Sequence, residues 1–250
     1  MEVVTNLRKG KPQVPLRSGA YRQDLSVLVR FRPVHKTTTI GMETDVLAEN
    51  RGLARQNLDL LRSHKVRSID VMGSIGSGKT ALIVRMARDL MAKGKKVAAI
   101  AGDVTGEDDY TIFKNAGIPA VNLNTGKECH LDAHLVQHAL EGMDLGSFDV
   151  LFIENVGNLV CPADFPLGTD LRIVVISVTE GDDMVNKHPM IFLDSDVAVL
   201  NKIDLIKVLD VDVDRLKRDY ARLRKNGVLH LTSAKTGEGV PDLLAALGLA

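Results

Sequence analysis

The sequence predicts an α/β protein whose doubly wound, mainly parallel sheet carries a P-loop NTPase site. Short runs rich in valine, isoleucine and leucine recur along the chain, and helical patterns separate most of them. Such runs are typical of strands that a parallel sheet buries on both faces. A glycine-rich motif stands between the first run and the helix after it, where a phosphate-binding loop belongs. A second motif, typical of guanine recognition, follows a later run.

The composition favours a cytoplasmic protein and argues against several other classes. The 250 residues carry 32 Lys and Arg against 32 Asp and Glu, and this balance argues against a nucleic-acid partner. No apolar run approaches the roughly 20 residues that cross a bilayer, and the N-terminus has no signal-peptide pattern, so no membrane partner is expected. The two cysteines form no disulfide framework, which fits a reducing compartment.

The first 44 residues differ in composition from the rest of the chain. They hold eight Lys or Arg, three acids and three prolines. Residues 23–34 have a strand-like pattern, but no partner strand is obvious. We predict that residues 1–44 form a basic, flexible N-terminal extension and that residues 45–250 form the P-loop GTPase domain.

The elements of the domain follow from the spacing of its apolar residues. From residue 44 to Leu61, apolar residues recur at mostly helical intervals, which predicts a helix ahead of the sheet. Six apolar runs then predict strands, and the segments between most of them predict helices. The runs cover residues 66–73, 95–102, 148–155, 171–178, 195–201 and 227–233.

The first motif, GSIGSGKT, matches G-x-x-x-x-G-K-[ST] and lies between an apolar strand and a helix. Glycines allow the backbone N–H groups to surround phosphate oxygens, and the helix adds its positive N-terminal end. We expect the Lys79 ammonium to reach the β- and γ-phosphates and the Thr80 hydroxyl to bind Mg²⁺. The alternative, a glycine-rich turn without a ligand, is disfavoured by this context. The predicted phosphate-binding residues are Gly73, Ser74, Gly76, Ser77, Gly78, Lys79 and Thr80.

The second motif, NKID, follows a strand and predicts the nucleotide base. The Asp204 carboxylate can accept hydrogen bonds from both N1–H and N2–H of guanine, whereas adenine offers no such pair of donors. A polar mismatch of this kind is worth roughly 10⁴-fold in selectivity. We expect Asn201 to brace the neighbouring loops and Lys202 to lie across the base. GTP is therefore the expected nucleotide, and the segment TSAK completes its pocket with Ser233, Ala234 and Lys235.

Acidic residues at two strand ends are candidates for the catalytic machinery. We expect Glu154 to hold Mg²⁺, directly or through water, and the N–H of Gly157 to sense the γ-phosphate. Asp103 and Asp109 follow the second strand, and each is expected to bind Mg²⁺ through water or to orient the attacking water. Solvated loop acids are the alternative. No water-positioning Gln or Arg finger is obvious, so slow intrinsic GTP hydrolysis is predicted, carried by Lys79 and Mg²⁺.

The two cysteines and a histidine form a candidate metal site. Cys129 and His130 are predicted at the start of a helix, whose positive end favours a thiolate. The carboxyl ends of parallel strands meet at one edge, so Cys161 is expected to lie near them and complete a set suited to Zn²⁺ or Ni²⁺. Two buried thiols beside a capping histidine are the alternative. His134 and His138 lie on the same predicted helical face as His130, as a second, weaker site or a solvated face.

The segments TGKECHLDAH, ENVGNLVCPADFPLG, SVTEGDD and NKIDL together resemble HypB, a family of GTPases that assist nickel insertion into [NiFe]-hydrogenase. The resemblance covers residues 45–250. It implies the SIMIBI fold of dimerising P-loop GTPases, which also includes UreG, and a homodimer favoured by GTP. It further implies that Cys129, His130 and Cys161 bind the metal near the subunit interface.

The resemblance also implies partners and minor sites. A hydrogenase maturation accessory protein and the hydrogenase large subunit are the implied partners. His134 and His138 match a helical pair associated with additional metal binding. Lys187 matches a lysine that approaches nucleotide across the dimer. The N-terminus lacks the cysteine-rich or histidine-rich nickel motif found in some members, so tightly held nickel is not expected there.

Two other functions stay open at this point. A UreG-like urease chaperone would share GTP use and nickel delivery, but its ligand motif is Cys-Pro-His, whereas Ala163 follows Cys161 and Pro162 here. A GTP-regulated metal-storage or zinc-binding module is the other alternative, because ligands for storage and for delivery look alike. Coupling between GTP hydrolysis and metal release would separate these functions.

Overall fold

The structure is a computed structural model that describes the backbone of residues 36–250 and the side chains of residues 45–250. The predicted extension, residues 1–44, lies outside this range except for the backbone of residues 36–44. The strand-like residues 23–34 lie wholly outside it.

Seven strands form one parallel sheet in the described part of the chain. They are β1 (Arg67–Gly73), β2 (Val97–Asp103), β3 (Ala120–Asn124), β4 (Val150–Glu154), β5 (Leu171–Ser177), β6 (Val197–Asn201) and β7 (Leu229–Leu231). Their order is β3-β2-β4-β1-β5-β6-β7, with every pairing parallel. The predicted α/β class with a doubly wound sheet is therefore confirmed.

Helices pack on both faces of the sheet. They are α1 (Lys36–Ser63), α2 (Lys79–Ala92), α3 (Asp108–Asn115), α4 (Ala133–Glu141), α5 (Met184–Lys187), α6 (Pro189–Asp194), α7 (Ile206–Leu209), α8 (Val213–Leu223) and α9 (Val240–Ala246). None of those described is both long and apolar enough to span a bilayer. The alternating faces of the strands explain the continuous apolar runs, because successive buried residues pack against opposite helix layers.

The core has one helix layer on each face of the sheet. Residues of α2 and α9, such as Leu82 and Leu243, pack with Ile69 on one face. On the other face, α1 and α4 cover β2 and β4, while α6 and α8 cover β5 and β6. Because all strands are parallel, their carboxyl ends meet at one edge, where open α/β sheets bind their ligands.

Two features of the fold differ from the sequence prediction. β3 is absent from the six predicted runs, because as an edge strand it is only half-buried and alternates apolar residues with asparagine. α1 begins at Lys36, ahead of the helical pattern seen from residue 44. The boundary between extension and domain stays a prediction.

Candidate functional site

A cavity of about 430 Å³ opens at the carboxyl edge of the sheet, between β1, β2 and β4. The loop after β1 forms its floor, and the loops after β2 and β4 form its walls. Most of the predicted phosphate and Mg²⁺ residues share this cavity. Its lining includes Gly76, Gly78, Lys79, Thr80, Asp103, Asp109, Glu154, Gly157 and Lys202.

Glycine is required where the loop after β1 passes close to the rest of the protein. Gly73 has a φ of 152°, and a Cβ there would lie 2.2 Å from the carbonyl oxygen of Val175 on the adjacent strand. Gly78 has a φ of 89° and directly precedes α2, so that its conformation starts the helix. The Lys79 Nζ donates to the carbonyl oxygen of Ser74 at 3.1 Å, which places the ammonium inside the loop.

Thr80 is the centre of an oxygen cluster on the cavity wall. Its Oγ1 lies 2.7 Å from Asp109 Oδ1 and 2.9 Å from Glu154 Oε1. Lys79 Nζ is 3.9 Å from the same Glu154 oxygen. Asp103 lines the cavity as well, but its Oδ1 accepts from the N–H of Val104 at 2.6 Å. The cluster therefore brings together the hydroxyl and the carboxylates predicted to bind a cation.

Glu154 is the most perturbed acid of this cluster. Burial raises the pKa of its carboxyl to about 8; the nearby Lys79 ammonium lowers it, and Asp109 raises it. Its Oε2 is buried and has no hydrogen-bond partner among the described residues. An unpartnered carboxylate oxygen beside a hydroxyl and a second carboxylate fits a hard divalent cation with oxygen ligands. The residues present therefore suit Mg²⁺.

The NKID loop is tied to the phosphate loop. Asn201 Nδ2 donates to the carbonyl oxygen of Ser77 at 3.0 Å, and its Oδ1 accepts from the N–H of Ala234 at 3.1 Å. Lys202 has a positive φ of 62°, and its Nζ donates to the Gly76 carbonyl oxygen at 2.6 Å. Asn201 thus braces three segments, as the sequence analysis expects.

Asp204 and the TSAK segment form the far end of this site. The hydroxyl of Ser233 donates to Asp204 Oδ1 at 2.6 Å and orients that carboxylate. Ser233 is buried, while Lys235 is exposed. The structure thus brings NKID and TSAK together beside the phosphate loop.

The two cysteines and His130 form a second group beside the cavity. The Cys129 and Cys161 sulfurs are 2.9 Å apart, and Cys129 Sγ is 3.9 Å from His130 Nδ1. One ligand atom from each residue falls within 4.8 Å of the others. The imidazole also stacks on Phe165, with ring centroids 4.0 Å apart. Parallel strand ends therefore bring these residues together, although Cys129 and Cys161 are far apart in sequence.

Metal binding to this group would release thiol protons. The hydrogen bond to Cys161 and burial raise the pKa of the Cys129 thiol. Burial lowers the pKa of His130, so its imidazole is neutral near pH 7 and offers a lone pair. A soft divalent cation would replace the proton between the sulfurs, because thiolates and imidazole are its preferred ligands.

The prediction that Cys129 and His130 begin a helix is wrong. They lie in the loop after β3, and α4 begins only at Ala133, capped by the Asp132 carboxylate, which accepts from the N–H of Leu135 at 2.8 Å. The positive helix end therefore does not act on Cys129, whose pKa is raised rather than lowered.

His130 is consequently not on one helical face with the two later histidines. His134 and His138 lie on α4, with their Nε2 atoms 3.1 Å apart. His138 Nδ1 is 3.4 Å from Glu141 Oε2, and this pair is exposed. A second metal site at these two imidazoles stays a prediction.

Lys187 does not line the cavity at the carboxyl edge of the sheet. It ends α5, is exposed, and its Nζ pairs with Asp183 Oδ2 at 2.8 Å. Its predicted role needs a second subunit.

Glu180 is a residue of the phosphate site that the sequence analysis missed. Its Oε2 accepts from the Ser74 hydroxyl at 2.5 Å, and its Oε1 accepts from the N–H of Ser177 at 3.0 Å. Burial raises the pKa of this carboxyl. The S-x-x-E spacing of Ser177 and Glu180 is a capping-box pattern that could have indicated it.

Comparisons with known proteins identify relatives of the chain. A family model described as the CobW/HypB/UreG nucleotide-binding domain matches residues 68–229. The probable hydrogenase maturation factor HypB of Methanocaldococcus jannaschii is 49% identical over 211 residues, covering 84% of this chain and 95% of that protein. HypB of Escherichia coli K12 is 38% identical over 205 residues, covering 82% of this chain and 70% of that protein.

Two solved structures share the fold and a substantial part of the sequence. The hydrogenase maturation factor HypB from Archaeoglobus fulgidus superposes with a TM-score of 0.74 at 42% identity, covering 80% of this chain and 98% of that chain. HypB from Helicobacter pylori, solved in complex with nickel, gives a TM-score of 0.75 at 31% identity, covering 80% of this chain and 93% of that chain.

Proposed function

This chain belongs to the CobW/HypB/UreG family and, within it, to the HypB hydrogenase maturation factors, and from that premise we propose that it uses GTP hydrolysis to control nickel delivery to [NiFe]-hydrogenase. One observation carries the proposal. The thiol–imidazole group lies beside the nucleotide cavity, and the short segment from Gly157 to Cys161 joins the two. The nickel complex of the relative from Helicobacter pylori supports nickel as the cargo.

GTP is the proposed nucleotide because of the site around Asp204. Its carboxylate would accept from N1–H and N2–H of guanine. Ser233, which donates to one of its oxygens, holds it in place. Asn201 joins this pocket to the phosphate loop, so that base and phosphates bind to one rigid unit.

Hydrolysis of GTP to GDP and phosphate depends on positioning and charge. The Lys79 ammonium and the N–H groups at the start of α2 neutralise and orient the phosphates. Thr80, Asp103, Asp109 and Glu154 would hold Mg²⁺, which would neutralise charge on the β- and γ-phosphates. Neither Gln nor Arg lines this cavity in the part of the chain that the structure describes. We therefore expect a slow intrinsic rate.

Nickel is the proposed cargo of Cys129, His130 and Cys161. Two thiolates and a neutral imidazole suit Ni²⁺, and the same set would bind Zn²⁺. Three ligands leave the coordination of either ion incomplete, so water, a second subunit or an acceptor protein can add a ligand. An incomplete set favours transfer over storage. His134 and His138 would form a weaker, separate site.

The proposed partners follow from family membership. GTP would bring two copies of the chain together and place Lys187 near the partner's nucleotide. The metal would pass to a hydrogenase maturation accessory protein and then to the hydrogenase large subunit. A reducing compartment such as the cytoplasm would keep both thiols free.

The proposal is tested by loading the protein with one equivalent of Ni²⁺ and following its transfer to a chromogenic chelator. We expect GTP with Mg²⁺ to accelerate transfer in step with phosphate release, while a non-hydrolysable analogue does not. Cys161→Ala is the control for metal bound elsewhere. Equal transfer rates with GTP and with the analogue would indicate a metal-storage module instead.

A further inference from the structure

We propose that Asn158 is a positioning residue that carries the state of the nucleotide to the nickel ligands. The inference rests on the proposed function and adds a named contact to it. Asn158 lies between Gly157, which lines the nucleotide cavity, and Cys161. Its backbone contacts the phosphate loop, and its side chain contacts the two backbone segments that carry Cys129 and Cys161.

The backbone of Asn158 is fixed to the phosphate loop. Its N–H donates to the Gly73 carbonyl oxygen at 2.9 Å, and the two residues form an isolated antiparallel bridge. The neighbouring Gly157 packs so closely on Ile75 that a Cβ would lie 2.4 Å from Ile75 Cγ1 and 3.1 Å from Ile75 N. A change in the phosphate loop or at Gly157 must therefore act on Asn158.

The side chain of Asn158 contacts both backbone segments that carry the cysteines. Its Nδ2 donates to the carbonyl oxygen of Cys129 at 3.2 Å. Its Oδ1 accepts from the N–H of Val160 at 2.8 Å, directly before Cys161. One amide thus sets the separation of the two backbone segments that carry the sulfurs.

Asn155 holds the other side of the same arrangement in place. It is buried, and its Oδ1 accepts from the N–H of Leu131, the residue after His130, at 3.1 Å. Its Nδ2 donates to the buried Asp70 at 3.2 Å, on β1. The loop of Cys129 and His130 is therefore anchored to the sheet at Asn155, while Asn158 connects it to Cys161.

This arrangement meets the physical requirement for coupling between two sites. Coupling needs an element that both ligands bias, linked by contacts that transmit its change. The nucleotide acts on Gly157, and the metal draws Cys129 and Cys161 together. Asn158 follows Gly157 directly and contacts the segments of both cysteines. Loss of its side-chain amide should therefore uncouple the nucleotide site from the nickel site without removing any proposed ligand.

The test is a nickel titration of wild type and Asn158→Ala, each with GDP and with a non-hydrolysable GTP analogue. We expect the nickel Kd of wild type to differ at least about fivefold between the two states, and that of the variant to differ less than about twofold. The energy of the thiolate-to-nickel absorption band should likewise depend on nucleotide in wild type only. Binding of the GTP analogue and its effect on dimerisation should persist in the variant.

Asn50→Ala is the matched control. Asn50 also donates to one backbone carbonyl, of Pro166 at 3.0 Å, and accepts from one N–H, of Ala133 at 2.8 Å, but it does not contact the nucleotide loop. It should keep the nucleotide dependence of wild type. An Asn158→Ala protein that keeps this dependence would overturn the inference. A wild type without it would instead contradict the proposed function.

Discussion

At the scale of single residues, we propose that Asp204 decides which base binds. We predict that Asp204→Asn lowers GTP affinity by roughly 10²-fold or more, because the amide presents a donor to the guanine amino group. Xanthosine triphosphate carries a carbonyl at that position, so it should bind the variant more tightly than GTP. Competition against a fluorescent guanine nucleotide measures both affinities.

The control for this change is Asp214→Asn, which alters a carboxylate that is 77% exposed on α8. It should leave base preference unchanged. An Asp204→Asn protein that still prefers GTP over xanthosine triphosphate would contradict the assignment of the base pocket.

Glu154 makes the stability of the nucleotide-free protein depend on pH. Its pKa is raised from an ordinary 4.5 to about 8, so between these values the folded protein keeps a proton that the unfolded chain has lost. This contribution therefore lowers stability as pH rises from about 4.5 to about 8, and it levels off above that. We predict that Glu154→Gln, which cannot ionise, removes this loss.

Thermal unfolding across this pH range, without nucleotide or Mg²⁺, checks the Glu154 prediction. The melting temperature of Glu154→Gln minus that of wild type should be several degrees larger at pH 8 than at pH 5. A change of about 1 kcal/mol shifts Tm by roughly 2–4 °C in a domain of this size. Parallel pH profiles for the two proteins would show that Glu154 ionises normally in the fold.

Local motifs predicted much of the site, whereas single contacting residues could not be predicted. GSIGSGKT and NKID carry their geometry within a few residues. The approach of Cys129 and Cys161 follows from the common edge of parallel strands. Asn158 and Glu180 act through hydrogen bonds to residues 29 and 106 positions away, and no local pattern specifies such partners.

At the scale of elements, α1 holds α4 and the loop between Cys161 and β5 against the sheet. Asn57 on α1 is buried, and its Nδ2 donates to the Ala133 carbonyl oxygen at 2.8 Å and to the Leu167 carbonyl oxygen at 3.0 Å. Asn57→Ala should lower the free energy of unfolding by about 1–3 kcal/mol, because it leaves buried carbonyl groups without a donor.

Urea denaturation measures this loss. Gln56→Ala, one position earlier on the exposed face of the same helix, is the control and should change stability by less than about 0.5 kcal/mol. Equal effects of the two substitutions would show that α1 contributes little through Asn57.

Element boundaries were predictable where apolar periodicity was strong. Each of the six predicted runs corresponds to a strand, and the strands inside the sheet are largely buried because both of their faces pack on helices. β7, at one edge of the sheet, is short and mostly half-buried, but its apolar run still predicts it. β3 escaped prediction since its asparagines alternate with apolar residues at the sheet edge. The predicted helix start at Cys129 was too early, because α4 begins only at Ala133, where the Asp132 carboxylate caps it.

At the scale of the whole molecule, exposed apolar side chains lie near the carboxyl edge of the sheet, where GTP is proposed to bind. Ile75 is 84% exposed and Val160 is 60% exposed. A GTP-dependent homodimer would bury such residues. We predict that Val160→Asp raises the dimer dissociation constant with the GTP analogue at least about tenfold, as loss of a buried apolar anchor does.

Light scattering after size exclusion measures this change in dimerisation. Val228→Asp is the control, because Val228 is 64% exposed and directly precedes β7, at the amino ends of the strands and away from the carboxyl edge. If Val160→Asp dimerises as wild type does, the second subunit does not use this edge.

At this scale we also propose that the state of the nucleotide sets the affinity of the thiol–imidazole group for nickel. The most direct measurement is a nickel titration of the wild-type protein, once with GDP and once with a non-hydrolysable GTP analogue, with Cys161→Ala alongside. We predict different nickel Kd values in the two states and a collapse of this binding in the variant. Identical nickel affinity in both states would show that the nucleotide site and the metal site are independent, and that GTP does not control nickel binding.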